Sequence, residues 1–413
     1  MRSFLIWSLF LCCGCDWIWN GSVVNCSVRD FKCPDGYTPP GVDLAVPTTD
    51  DGGTVGGALD YTSIYVMTDS NRTTLVGTGA GDVRTFLNDG SARPSYSSTE
   101  TVLAGKPIVG IWGGRIMNMM GQSHDVSIIV PQDKQILVTV DGQKRPQVPS
   151  ATMHGLWVGA RPTPSPGLST GPTLIAYAVG DSGLMVTGQI DQTGSVTWVS
   201  ETLMGSPNLR AVAGKRFITT NDVNGCKQIG QDMGTIGSPC PDGIAWAVGD
   251  NAAIFQYDGA WKSLSAFTNR PKSSQLLAVA AEPTQAYAWV GGIGGSYAER
   301  APSGAQNWVG KTPWNTQNIR AMCSFSANDV FAAGDGGAVF RYGYDMDING
   351  YGWKQESIAT AGPNLSQVSF LAINCSGTVN ADARVSIVGS NHTFIVGQQQ
   401  AGNWVWSSAN DAL

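Results

Sequence analysis

Beyond about residue 60 the chain is written in short runs of alternating apolar and polar residues, broken by clusters of Gly, Asp and Asn. A period of two argues for half-buried strands, and the Gly/Asp breaks argue for tight turns. The runs come in pairs. Ala176–Val186 (AYAVGDSGLMV), Ala245–Phe255 (AWAVGDNAAIF) and Val330–Phe340 (VFAAGDGGAVF) each read as strand, turn, strand, the signature of a β-hairpin. Leu75–Phe86, Ala286–Tyr297 and Val385–Val396 are weaker copies, and Val126–Val140 is a degenerate one.

Two further elements recur around these hairpins. A run of small apolar residues precedes most of them: LRAVAG at Leu209–Gly214, LLAVAA at Leu276–Ala281, IRAMCS at Ile319–Ser324 and FLAINC at Phe370–Cys375. Small side chains suit a strand crowded around an axis. A polar, Trp-bearing run follows: VTWVSET, AWKSLSA, GWKQESI and NWVWSS. Four strands ordered from inside to outside make the blade of a β-propeller, and the repeat glycines recur at the roughly 40–50-residue spacing of such arrays, with one longer gap. The expected fold is therefore all-β, a propeller of about seven four-stranded blades over residues 61–413. The longer gap holds an insertion at 215–243. No long amphipathic helical pattern opposes this reading.

The first residues read differently. Arg2 followed by the apolar Phe4–Leu11 is the pattern of an export signal, too short to span a bilayer. It closes on Leu11-Cys12-Cys13-Gly14-Cys15, which resembles a bacterial lipobox with Cys15 as the lipidated residue. Cleavage near Gly14 as an ordinary secretory signal is the alternative. Residues 16–60, rich in Pro, Gly and Asp, read as a flexible tether with a small Cys loop. Outside the leader six cysteines remain, Cys26, Cys33, Cys226, Cys240, Cys323 and Cys375, an even number that suits an oxidising compartment. Fifteen pairings are open to six cysteines. Proximity suggests Cys26 with Cys33 and Cys226 with Cys240. The equivalent positions of Cys323 and Cys375 on inner strands of neighbouring blades suggest a bridge between them.

Composition narrows the class of partner. Glycine (52 residues) and tryptophan (14) are plentiful, only 14% of residues are charged, and the net charge is −6. That acidic balance excludes nucleic acid, whose phosphates need clustered Lys and Arg. With three histidines and no metal-ligand Cys/His spacing, a zinc site is not expected.

The pattern A-V-G-D-x-G-x-[IVF] followed by Tyr257-Asp258-Gly259-x-Trp261 looks like bacterial surface-lipoprotein propellers with DVWAVG-type repeats. It is similar more distantly to the Ycf48-like and sortilin-like propellers. The lipobox and the Asp43–Pro47 segment of the tether share the resemblance. It implies an exported protein, lipid-anchored at the outer membrane, the cell surface or in the periplasm, or else secreted. Such motifs specify fold and say little of function.

Catalytic motifs are not found. Asp191–Trp198 (DQTGSVTW) has the wrong spacing for the Asp-box of sialidase-type propellers, and Arg161, Arg210, Arg300, Arg320 and Arg341 are scattered, with strand-end roles expected. His124, His154 and His392 read as solvated turn or strand-end residues, with His154 in a loop. One loop carries specific chemistry. Asp345-Met-Asp347-Ile-Asn349-Gly350-Tyr351 through Glu356 satisfies D-x-[DN]-x-[DN]-G-x5-E, whose alternate oxygens can surround a structural Ca²⁺. Asp345, Asp347, Asn349, the Tyr351 carbonyl and Glu356 would be the ligands, against the simpler reading of an Asn-Gly turn with solvated aspartates. The tryptophans are assigned to packing: Trp198, Trp261, Trp353, Trp404 and Trp406 on outer strands, Trp112, Trp157, Trp246 and Trp289 on inner strands or at their starts.

Function is read as a protein-interaction or scaffold module rather than an enzyme. Its partner would be another protein, and only the lipid anchor would touch the membrane. A carbohydrate-binding or glycoside-processing propeller is the alternative. It would need paired carboxylates or an arginine cluster converging on the axis.

Overall fold

The structure, a computed structural model, describes residues 60–409 except 68–71, 89–93, 118–121, 161–173, 192–193, 215–244, 258–259, 265–266, 269–274, 283–286, 296, 301–307, 312–315, 346–348, 380–381 and 401. The described strands form seven sheets, numbered here in chain order. Their innermost strands are Tyr61–Val66, Ile108–Met117, Met153–Ala160, Leu209–Gly214, Leu276–Ala281, Ile319–Ser326 and Phe370–Ser376. Within each sheet the chain steps outward by antiparallel pairing. Sheet 5 alone takes a fifth strand, Phe267–Thr268, which pairs in parallel with Trp308–Lys311 at its rim. Each innermost strand neighbours the next, and the last neighbours the first, so the sheets close a ring. This is a β-propeller.

The core lies between the sheets rather than inside any one of them. Seven apolar clusters span the seven junctions; Phe331, Val339, Phe370, Ile387 and Trp406, for example, fill the space between sheets 6 and 7. Second strands are therefore covered on both faces. Leu174–Gly180, Ala245–Gly249, Asp329–Gly334 and Arg384–Gly389 are buried at every residue. The expected alternation of burial fails there, because a strand sandwiched between two neighbours has no solvent face. Outer strands such as Val196–Thr202 are mostly exposed.

Trp198, Trp261, Trp353, Trp404 and Trp406 are on outer strands as expected. Trp246 and Trp289 are not on innermost strands; they sit on the second strands of sheets 4 and 5 and are fully buried. Cys323 and Cys375 form a disulfide across neighbouring innermost strands, with a Cα separation of 5.7 Å. Cys15, Cys26, Cys33, Cys226 and Cys240, like the rest of the leader, the tether up to residue 59 and the insertion 215–243, lie outside the described residues.

Candidate functional site at the axial mouth

The seven innermost strands share one irregularity. Each pairs with its neighbour through a register shift that leaves its second residue outside the ladder, a β-bulge. The bulged residues are Thr62, Val109, His154, Arg210, Leu277, Arg320 and Leu371. A bulge re-aims a side chain, and here all seven line one axial cavity of about 230 Å³. The next position is Ser, Gly or Ala in every strand, which keeps the axis open.

Three of the bulged residues are basic, and each meets a carboxylate from the turn after its own sheet's second strand. Arg210 donates from Nε and Nη2 to the two oxygens of Asp250, both at 3.1 Å. Arg320 makes the same fork with Asp335, its Nη2–H reaching Oδ2 at 3.1 Å, and Asn318 donates to that oxygen at 2.8 Å. His154 Nε2 lies 2.6 Å from Asp181 Oδ1. Burial pushes the Asp335 carboxyl up, but the Arg320 fork with Ser369 and Asn318 outweighs it and holds the group below the usual carboxylate range. The three side chains Arg210, Arg320 and His154 are only 10–13% exposed.

These carboxylates are the Asp of the A-V-G-D repeat, and they do not line the cavity. The basic ends do. Among the described residues lining the cavity there is no Asp or Glu, and no Trp, Tyr or Phe. The described lining residues thus include neither paired carboxylates of the kind glycoside hydrolysis uses nor an aromatic platform for a sugar ring.

Reading the residues singly missed this arrangement. Arg210 and Arg320 do lie at strand ends, but as bulged residues lining the cavity, and His154 is not in a loop but second in the strand Met153–Ala160. A signal was present in the repeat itself. Where the turn begins with Asp (Asp181, Asp250, Asp335) the bulge is His or Arg; where it begins with Ile293 or Ser390 the bulge is Leu277 or Leu371. The other two histidines are placed as expected. His124 lies near the start of Ser123–Pro131 and meets Asp141 at 2.6 Å, and His392 occupies the last hairpin's turn with its ring 5.1 Å from Tyr61. Arg341, inside the strand Val339–Asp345, forks onto Asp329.

The acidic loop divides. Asp345 pairs with Gly350 across a hairpin turn, which holds Asn349 with φ 46° and its Oδ1 accepting from the Tyr344 hydroxyl at 2.5 Å. Asp347 lies outside the described residues. Tyr351 is opposite Tyr344 in the ladder. Glu356 is beyond the other end of the same strand, its N–H bonded to the Val339 carbonyl at 2.9 Å. Six residues of extended chain separate it from Gly350, roughly 20 Å, so it cannot close a cation site at the turn.

No protein-family profile and no curated protein matches the sequence. Among solved structures, the chain is similar to one described as "Crystal structure of RRP9 WD40 repeats". That match has a TM-score of 0.51 and 9% identity, and covers 81% of this chain and 88% of the other. "Structure of U3-55K" matches with a TM-score of 0.50 and 9% identity, over 81% of this chain and 90% of the other. At such identities the likeness defines the class, a propeller resembling WD40-repeat structures, and says nothing of partners.

Proposed function

We propose that the chain is an exported propeller, tethered to a membrane through a lipid on Cys15, that serves as a protein-interaction or scaffold module. The observation that carries the reading is the axial mouth. It is an axial opening whose described lining combines basic, small and aliphatic residues. A ring of sheets held by buried junctions presents such a surface with little ordering to be done on binding, which favours recognition. The Cys323–Cys375 bridge supports export, since disulfides persist in oxidising compartments. The leader, the tether and the DVWAVG-type repeats support a surface or periplasmic lipoprotein.

Cross-linking of the full-length chain in its native membranes, followed by affinity capture, tests the function. A reproducible protein partner is expected, and its absence would overturn the scaffold reading. Replacing Cys15 by Ser should release the protein from the membrane fraction; unchanged fractionation would remove the anchor. A structural Ca²⁺ at the 345–350 turn belongs to the same proposal, with Asp345, Asp347, Asn349 and the Tyr351 carbonyl as donors. Without Glu356 the site would be weak, and Ca²⁺ added to chelator-treated protein should raise the melting temperature only near millimolar concentrations. The Asp347→Ala variant should abolish that shift.

A further inference from the structure

We propose that the axial mouth binds a carboxylate carried by a partner protein's peptide segment, an inference that rests on the scaffold reading above. Three observations meet at this place.

The first is the sign of the charge. Among the described residues lining the cavity every ionisable one is basic, Arg210, Arg320 or His154, although the chain as a whole carries a net charge of −6. Their carboxylate partners are not among the described lining residues, so in each pair it is the basic residue that lines the axis. A narrow cleft with low-dielectric walls concentrates such a field.

The second is the shape of the donors. Both arginines bind their aspartates through Nε and Nη2, and in Arg320 the opposite edge of the planar guanidinium, with the Nη1 hydrogens, faces away from the aspartate. Each arginine is fixed in orientation by the fork it already makes, and fixed arginine edges match a planar carboxylate.

The third is asymmetry. The basic residues belong to sheets 3, 4 and 6, while sheets 7, 1 and 2 contribute Leu371, Thr62 and Val109. A basic arc therefore faces an uncharged one. At about 230 Å³ the cavity suits a single acidic side chain with an aliphatic neighbour, or a chain terminus, rather than a larger ligand.

The probe is a short fluorescein-labelled peptide alternating Glu with Leu, compared by anisotropy with its Gln/Leu counterpart on the full-length protein. The Glu peptide should bind, the Gln peptide should bind at least about tenfold more weakly, and added salt should weaken the Glu peptide. Arg320→Lys keeps the charge but loses the fork, and should weaken binding about tenfold. Because that change also disturbs Asp335, two variants leave every existing pair intact. Leu371→Glu should abolish binding of the Glu peptide, and Leu277→Lys should strengthen it. Equal binding of the Glu and Gln peptides, binding of neither, or indifference to Leu371→Glu in a protein of unchanged melting temperature would overturn the inference. Capture from membranes separates the two readings. A partner retained by Leu371→Glu protein leaves the scaffold reading standing and removes the axial site; no partner with wild-type protein removes the scaffold reading itself.

Discussion

In all seven sheets the residue that follows the second strand donates its N–H to the carbonyl just before the innermost strand: Gly79 to Asp60, Gln132 to Pro107, Asp181 to Thr152, Asp250 to Asn208, Ile293 to Gln275, Asp335 to Asn318 and Ser390 to Ser369. To accept that bond, the carbonyl passes over the last residue of the second strand. In five sheets this residue is glycine, and a Cβ on Gly180, Gly249, Gly292, Gly334 or Gly389 would fall well inside van der Waals contact with the carbonyl oxygen. The glycine of the A-V-G-D repeat is thus explained by a close backbone approach, not by a turn conformation. Gly334→Ala should cost about 1–3 kcal/mol in urea denaturation, as overpacking does. Gly343→Ala, where the nearest atom stands at an ordinary 3.6 Å, should change stability by less than about 0.5 kcal/mol.

Glu356 offers a second test at this scale. Burial raises its carboxyl above the ordinary value, and the Arg341 charge opposes this without cancelling it. A carboxyl with a raised pKa holds its proton more tightly in the folded state. Its contribution is therefore most favourable below the ordinary value of 4.5 and is lost as pH rises through the raised one. Glu356→Gln should gain stability over wild type at pH 7 and lose that advantage near pH 4. Denaturant midpoints at the two pH values measure it, and a difference independent of pH would contradict the burial argument.

At the scale of elements, the alternating pattern and the small-residue runs made the strands legible from sequence. The inner runs at Leu209–Gly214 and Leu276–Ala281 coincide with strands residue for residue. What stayed hidden was the bulge. It shifts register by a single residue, so Arg210 and Arg320 leave the ladder without disturbing the hydrophobic pattern around them. Hidden too was the reach of the acidic loop, since D-x-D-x-N-G-x5-E looks alike whether the last residues turn back or run on as a strand. The Cys323–Cys375 bridge, by contrast, followed from equivalent positions in the repeat. It closes a loop whose ends are 52 residues apart and should stabilise the fold by about 4 kcal/mol through the unfolded chain. Replacing both cysteines by serine should lower the unfolding free energy by that order, and peptide mapping without reductant should recover the linked pair.

Across the whole molecule, the junction between sheets 7 and 1 differs from a strand-exchanged closure, because each sheet is built from one continuous stretch of chain. Side chains make the seal. Tyr61, Val76 and Phe86 pack on Val388, Phe394 and Val396, with the Phe86 and Phe394 rings edge to face at 5.1 Å. Arg72 pairs with Asp382, and Asp60 accepts the N–H of Asn391 at 3.2 Å. That last contact repeats a latch seen inside the ring, where Asn208 accepts from Ser182 at 3.0 Å and Asn318 from Gly294 at 2.9 Å. Phe86→Ala should cost about 3–5 kcal/mol. Amide exchange in sheets 1 and 7 should quicken before that of sheets 3 and 4; a uniform loss of protection would mean that the seam is no weaker than the other junctions.

A closure made only of side chains leaves the topology indifferent to where the polypeptide is opened. Breaking the link between sheets 3 and 4 and joining residue 409 to residue 60 would cut no strand and remove no ladder, since the joined ends belong to adjacent sheets. The connection that lends Phe267–Thr268 to sheet 5 is the exception, and a permutant opened there would forfeit that rim strand. A ring assembled from self-contained segments can also exchange one unit for another while its neighbours keep their faces. The interchange of Arg with Asp, or Leu with an uncharged turn residue, at the same two places of the repeat is the kind of variation such an architecture tolerates.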